Sequence, residues 1–255
     1  MKRNARSLFL FLSVSSLWIS FVSAFQPALL QYASHQAITP EYMVVAFLVT
    51  FAVYAADKVS GSAEDLINTP ERGWLAHYPV KQLATVTYAL AILIVAAIDI
   101  WKLPFPLAFG VAGWIYARRI GKFRVKDIPG AKTVVVAGAT SICFAGLVGG
   151  PWWLYALEFL LIGTDTIVFD IRDIKGDAAN GVRTLPVILG RPRTLALLVG
   201  LDALLACLYW PAAAYGAILI YYFRKERDSL SYDLLVDGWS MWVLAALYLS
   251  HLLIG

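Results

Sequence analysis

Asp170-Ile-Arg-Asp173-Ile-Lys-Gly-Asp177-Ala-Ala-Asn180-Gly-Val-Arg183-Thr-Leu-Pro186 places three aspartates within eight residues. It follows Trp152–Phe169, an apolar run broken by Glu158, Asp165 and a few small residues, so a membrane helix delivers three carboxylates to its water-facing end. Asp173 and Asp177, four apart, share one helix face, one turn above the other. Two carboxylates placed this way repel unless a cation lies between them. Hard divalent ions such as Mg²⁺ take oxygen ligands and commonly bridge one or two carboxylates to phosphates. The spacing suits a metal–diphosphate grip at a membrane surface; a solvated loop of ordinary charge is the plainer alternative.

A second stretch supports the grip. Asp57-Lys-Val-Ser-Gly61-Ser-Ala-Glu-Asp65-Leu-Ile-Asn68-Thr-Pro70-Glu-Arg72 also closes an apolar run. In both stretches an Asp is followed three residues later by Asn (Asn68, Asn180) and then by Arg (Arg72, Arg183). Two such mouths facing each other would hold two metal ions around one diphosphate.

The rest of the chain is membrane-like. Its 255 residues are 60% hydrophobic, and a mean hydropathy of +0.69 excludes an ordinary soluble domain. Apolar runs fall at Ser7–Ala24, Tyr42–Ala56, Leu83–Ile100, Leu103–Ala117, Thr133–Leu147, Trp152–Phe169, Leu195–Tyr209, Ala212–Phe223 and Gly238–Ile254. These predict an all-α bundle of about nine transmembrane helices around a central cavity, as a single domain over 1–255. The seventh and eighth runs flank Pro211; a tight hairpin is expected there, with one long kinked helix as the rival. With the N-terminus inside, Lys102 alone of the 21 Lys and Arg falls on the outer side, the asymmetry of the positive-inside rule. The N-terminus and both aspartate stretches are then cytoplasmic, and a bacterial inner membrane is the expected setting. The net charge of +4 reflects this topology and anion binding, and no nucleic-acid motif is present. Val22-Ser23-Ala24 resembles a signal cleavage site, but the apolar stretch before it is longer than the roughly 7–15 residues of such signals, so a retained first helix is expected.

The residues Asp170 to Gly190 resemble the second aspartate-rich motif of the UbiA-type intramembrane prenyltransferases. That family's first motif reads Asn-x-x-x-Asp-x-x-x-Asp followed by Asn-x-Pro-x-Arg. Asp65 and Asn68-Thr-Pro70-Glu-Arg72 match its last part, whereas Asp57 stands for the usual Asn and Gly61 for the usual middle Asp. The resemblance implies a Mg²⁺-dependent membrane enzyme that moves a prenyl group from a prenyl diphosphate to a hydrophobic acceptor, aromatic or lipid. It implies metal binding by Asp57, Asp65, Asp170, Asp173 and Asp177, with Asp173 and Asp177 central to catalysis. Asn68, Arg72 and Arg183 are the matching diphosphate contacts. A terpene cyclase of the same family and a non-catalytic isoprenoid-binding relative remain as alternatives, the latter on account of Gly61.

Between the motifs, the basic stretch Tyr116 to Lys132 suits either a diphosphate or anionic lipid. Its Lys-Asp-x-Pro-Gly-x-Lys pattern is similar to the family's central loop, which assigns Lys122, Lys126 and Lys132 to diphosphate. Glu158 and Asp165 are seven apart and share a face of the sixth helix at membrane depth. Ionisable groups there point into a cavity or a polar partner; both are candidates for the acceptor pocket, with hydrogen bonding to neighbouring helices as the alternative. Aromatic residues build interfacial belts, and some facing inward would suit a carbocation. Two cysteines in separate runs and three scattered histidines give no disulfide framework or zinc site.

Overall fold

The computed structural model describes residue 8 and residues 10–60, 78–117, 119–120, 123–125 and 128–254. Helices dominate, and the strand pairing among the described residues is a two-residue ladder, Arg119–Ile120 against Phe123–Arg124. Backbone groups in lipid have no water to bond, which favours helices for every crossing.

The first pass is helical from residue 10 and interrupted at Ser16, whose φ of 68° is left-handed. α1 (Leu17–Ser23) then runs through Ala24 into α2 (Phe25–Ala33). The pass therefore extends to Ala33, beyond the expected end at Ala24. Gln26 and Gln31, which break the apolar pattern, are buried. The Gln31 amide ties down the following turn by donating to Ala37 O and Thr39 Oγ1, both at 2.9 Å. α3 (Pro40–Ser60) opens on Pro, where no N–H is needed, and carries Glu41 in its first turn and Lys58 in its last, complementing the helix dipole. α4 (Val80–Ile98) returns, and α5 (Pro104–Ala117) again opens on Pro.

α6 (Ala131–Val148) lies between Gly130 and Gly149, both at φ 72°, a conformation glycine takes without strain. Lys102 donates to Leu147 O at 2.6 Å and Tyr42 Oη at 2.5 Å. The single cation expected on the outer side thus caps α6 and ties it to the start of α3. α7 (Trp152–Ala179) has 28 residues, about 42 Å, against roughly 30 Å of hydrocarbon. Its surplus turns lift Asp170, Asp173 and Asp177 beyond the apolar stretch. α8 (Leu185–Leu189) is short.

α9 (Arg191–Phe223) contains 33 residues, with a non-helical Tyr209 at φ −157°, ψ 91° just before Pro211. Its two arms double back. Arg191 Nη2 donates to Phe223 O at 2.6 Å, although a straight helix would separate them by about 48 Å. A Cβ built on Gly216 would lie 2.1 Å from Asp202 Oδ1 on the other arm. The expected hairpin at Pro211 is what forms; among the described residues, Pro40–Val59, Val80–Ile98, Ala131–Val148 and Arg191–Phe223 are helices long and apolar enough to cross a membrane. α10 (Ser229–Leu235) and α11 (Trp239–Ile254) complete the chain.

The passes bury side chains such as Phe144, Leu147, Leu154, Leu157 and Leu198 between them, while α4 exposes Leu83, Val86, Leu90 and Leu93, the pattern of a helix facing lipid. Because the hairpin arms meet at Gly216, Gly216→Val should lower the thermal unfolding midpoint in detergent by an overpacking cost of about 1–3 kcal/mol. An unchanged midpoint would contradict the antiparallel arms.

Candidate active site

The ends of α3 and α7 that carry acidic residues meet at one cavity of about 470 Å³. Its charged wall includes Asp57 and Lys58 from α3, Lys132 from α6, and Arg172, Asp173 and Asp177 from α7. Val14, Phe109, Val135, Phe144, Ile162 and Phe169 supply apolar lining. Gln26, Thr50 and Asp165 line the same space, and each has a buried side-chain oxygen without a hydrogen-bond partner.

The acidic groups are not equivalent. Asp170 is fully buried, pairs with Lys132 Nζ and is absent from the cavity wall. Arg172 grips both oxygens of Asp173, through Nε to Oδ1 at 2.8 Å and Nη2 to Oδ2 at 3.1 Å. Asp177 lines the cavity with its Oδ2 buried and unpartnered. Burial, reinforced by Asp170 and Asp173 and opposed by Lys132, pushes the Asp177 carboxyl up to about 6.

The other expected residues divide. Asp165 lines the cavity, as a place in the acceptor pocket requires, whereas Glu158 does not line it and is fully buried with both carboxylate oxygens unpartnered. Arg183 is exposed on the loop after α7, outside the cavity wall. Asp65, Asn68, Arg72, Lys122 and Lys126 lie outside the described residues. Sequence reasoning missed Lys58 and Arg172, which it counted only as topological charge. It also missed Asp228, Asp233 and Asp237, which line the cavity from α10 and its flanks. A signal for the last two was present: they repeat the four-residue spacing of Asp173 and Asp177.

Mg²⁺, which the motif resemblance implies, requires hard oxygen donors. Asp57, Asp173 and Asp177 bring carboxylates to one cavity, and the unpartnered Asp177 Oδ2 is an acceptor-only atom suited to a cation. Among the described residues no three acidic, His or Cys side chains already close into a ligand set. The donor chemistry fits Mg²⁺, with Asp173 held by Arg172.

A sequence model of the UbiA prenyltransferase family matches residues 16–224. The chain belongs to that family. It is therefore a membrane prenyltransferase by family. Among curated relatives, the digeranylgeranylglyceryl phosphate synthase of Natronomonas pharaonis is 29% identical over 196 residues, spanning 74% of this chain and 69% of that one. The enzyme of the same name from Thermococcus kodakarensis is 32% identical over 139 residues, 51% of this chain and 48% of that one. The chain thus aligns with about two thirds of the first relative and about half of the second. A solved UbiA homologue from Archaeoglobus fulgidus, bound to DMAPP and Mg²⁺, superposes with a TM-score of 0.63 at 18% identity, covering 93% of this chain and 99% of that one. One from Aeropyrum pernix K1 gives 0.64 at 14%, covering 90% and 98%. At these identities the two structures establish the shared fold.

Two measurements check the charge assignments. Lys132→Met leaves Asp170 buried without its cation; with Lys132 27% exposed, the loss should fall near the low end for broken buried pairs, about 3 kcal/mol. Adding Asp170→Asn should recover part of it, and strict additivity of the two losses would contradict the pair. A carboxyl whose folded pKa is raised from about 3.9 to about 6 costs folding stability once it ionises, a cost fully present above the folded value and gone below the unfolded one. In chelator-treated protein, Asp177→Asn should therefore raise the unfolding midpoint at pH 7.5, and the gain should vanish by about pH 4. A gain that grows toward low pH would refute the assignment.

Proposed function

We propose that this chain transfers a prenyl group from a prenyl diphosphate to a hydroxyl-bearing glyceryl phosphate lipid, in a Mg²⁺-dependent reaction. The reading rests on a cavity in which a mouth of carboxylates and cations opens onto apolar walls. That is the shape a molecule with an ionic head and a hydrocarbon tail requires. The acceptor class rests on the relatives, whose name denotes two geranylgeranyl groups on one glyceryl phosphate. It is preferred to the aromatic acceptor for that reason. The metal supports the reading through the Archaeoglobus fulgidus homologue, bound to DMAPP and Mg²⁺.

In this scheme Asp173 and Asp177, with Asp57 and Asp65 opposite, would hold Mg²⁺, and Lys132 would face the diphosphate alongside Asn68, Arg72, Lys122, Lys126 and Arg183. Bound Mg²⁺ would neutralise the charge that grows on the departing diphosphate. Asp170 keeps Lys132 charged and in place. The C1–oxygen bond of the prenyl diphosphate breaks, and the dry lining of Phe109, Phe144 and Phe169 shields the allylic carbon from water. The acceptor hydroxyl forms the new carbon–oxygen bond and gives its proton to the carboxylate of Asp165, whose unpartnered oxygen in the same wall orients that hydroxyl, while diphosphate leaves as the anion. We place the N-terminus and the cavity mouth on the cytoplasmic side, because Lys102 is the one cation assigned to the far end. The relatives named are archaeal, so the setting proposed is a cell membrane rather than a bacterial inner membrane specifically.

Purified protein supplied with C10, C15 and C20 prenyl diphosphates should release diphosphate only when Mg²⁺ and a prenylated glyceryl phosphate are both present. Asp173→Ala should lower that release by at least about 10²-fold, the scale of losing a preorganised charge stabiliser. Release without acceptor, with a cyclic product, would point to a cyclase. Release with a phenol but not with the lipid would restore the aromatic acceptor. Binding without release under every condition would mark a non-catalytic member.

A further inference from the structure

Asp173 reaches the cavity with both carboxylate oxygens already engaged by its neighbour in sequence. The third arm of the same guanidinium, Arg172 Nη1, donates to Asp233 Oδ1 on α10 at 3.0 Å. Phe169 and Tyr232 flank the group, with ring centroids 4.8 and 5.9 Å from Cζ. Asp233 is tied in turn to the first pass. Its Oδ2 accepts from Ser13 Oγ at 2.6 Å, and its backbone oxygen accepts from Trp18 Nε1 at 2.6 Å. One cation therefore spans two carboxylates from different elements and fastens α10 across the cavity mouth.

A guanidinium fork fits a phosphate as well as a carboxylate. With the Arg172 fork on both oxygens, Asp173 has only its outer lone pairs left for a metal ion, which would also face the guanidinium charge. We propose that Arg172 is a resident counter-ion that gates Asp173, and that it also becomes a diphosphate contact, an inference that rests on the metal–diphosphate reading above. Without diphosphate, the Nε–Nη2 edge occupies Asp173. When diphosphate enters, that edge passes to phosphate oxygens and Asp173 is released to the metal. Nη1 stays on Asp233, which keeps α10 over the loaded cavity. Diphosphate and metal must then bind cooperatively, each strengthening the other by the same factor.

The test is Mn²⁺ binding to the full chain in detergent, followed by the electron paramagnetic resonance of free Mn²⁺, with and without inorganic pyrophosphate and with pyrophosphate–Mn²⁺ pairing in buffer subtracted. In the wild type, pyrophosphate should tighten Mn²⁺ binding by about tenfold, within the usual range of site coupling. Arg172→Gln should bind Mn²⁺ alone about tenfold more tightly than the wild type and lose most of the pyrophosphate effect, the same coupling removed from the other side. A merely structural loss would weaken metal binding, so the direction of change separates the two roles. If Arg172→Gln does not fold, Arg172→Lys keeps the charge but not the fork, and should shift both quantities the same way by less. A folded variant that binds Mn²⁺ alone no more tightly than the wild type, or keeps the full pyrophosphate effect, overturns the gate. A wild type that binds Mn²⁺ under neither condition overturns the metal–diphosphate reading itself.

Discussion

Carboxylates crowded at the end of an apolar bundle must be neutralised where they stand, since an unpaired buried charge costs more than most folds can spare. The polar contacts around the cavity follow from that constraint. Lys132 meets Asp170, Arg172 meets Asp173 and Asp233, and Lys58 is spent on Ser13 O at 2.7 Å. Asp177 keeps one oxygen without a partner, and its carboxyl is correspondingly reluctant to ionise. The site is a set of charges compensated internally to different degrees, and the unpartnered Asp177 oxygen is an acceptor that an external cation would fill.

The same constraint explains how the scaffold presents these groups. In lipid the apolar side chains do not drive passes together, so close packing and a few polar ties set their arrangement. Lys102 at the far end and the Ser13–Asp233–Trp18 contacts at the near end are such ties. α7 does the positioning by length: its apolar turns fix it among α6 and α9, and its surplus turns hold three aspartates rigidly above. A helical mount serves a metal grip better than a loop, because the four-residue spacing becomes a fixed geometry.

Much of this was legible in the sequence. The all-helical apolar architecture, the hairpin at Pro211, and the placing of Asp57, Asp165, Asp173 and Asp177 on one cavity all follow from hydropathy, proline and spacing. Other features were not legible, for specific physical reasons. Asp170 reads as a third ligand by type, spacing and helix face; what sets it apart is its pairing with Lys132 on α6, a tertiary contact that the spacing does not show. Arg172 is indistinguishable in sequence from any juxtamembrane cation; its role depends on α10 lying against α7, a tertiary contact. The first pass overran its expected end because Gln26 and Gln31 break the apolar pattern yet are both buried, Gln31 by bonding the turn that follows. Glu158 shares a face with Asp165 by periodicity, but two turns of depth take it away from the cavity.

The short passes carry a consequence of their own. α5 has 14 residues, about 21 Å of helix, and the arm of α9 after Pro211 is of similar length. Both fall well short of roughly 30 Å of hydrocarbon. α5 meets the surrounding lipid through Leu107, Val111 and Trp114, all exposed, so tilting would only worsen the shortfall. A helix this short is accommodated by thinning of the bilayer, by flanking side chains reaching to the interface or by association with other helices, at a cost of fractions of a kcal/mol per Å of mismatch. Hydrophobic mismatch thus gives the protein a preference for thin or easily compressed membrane, whatever its cavity holds.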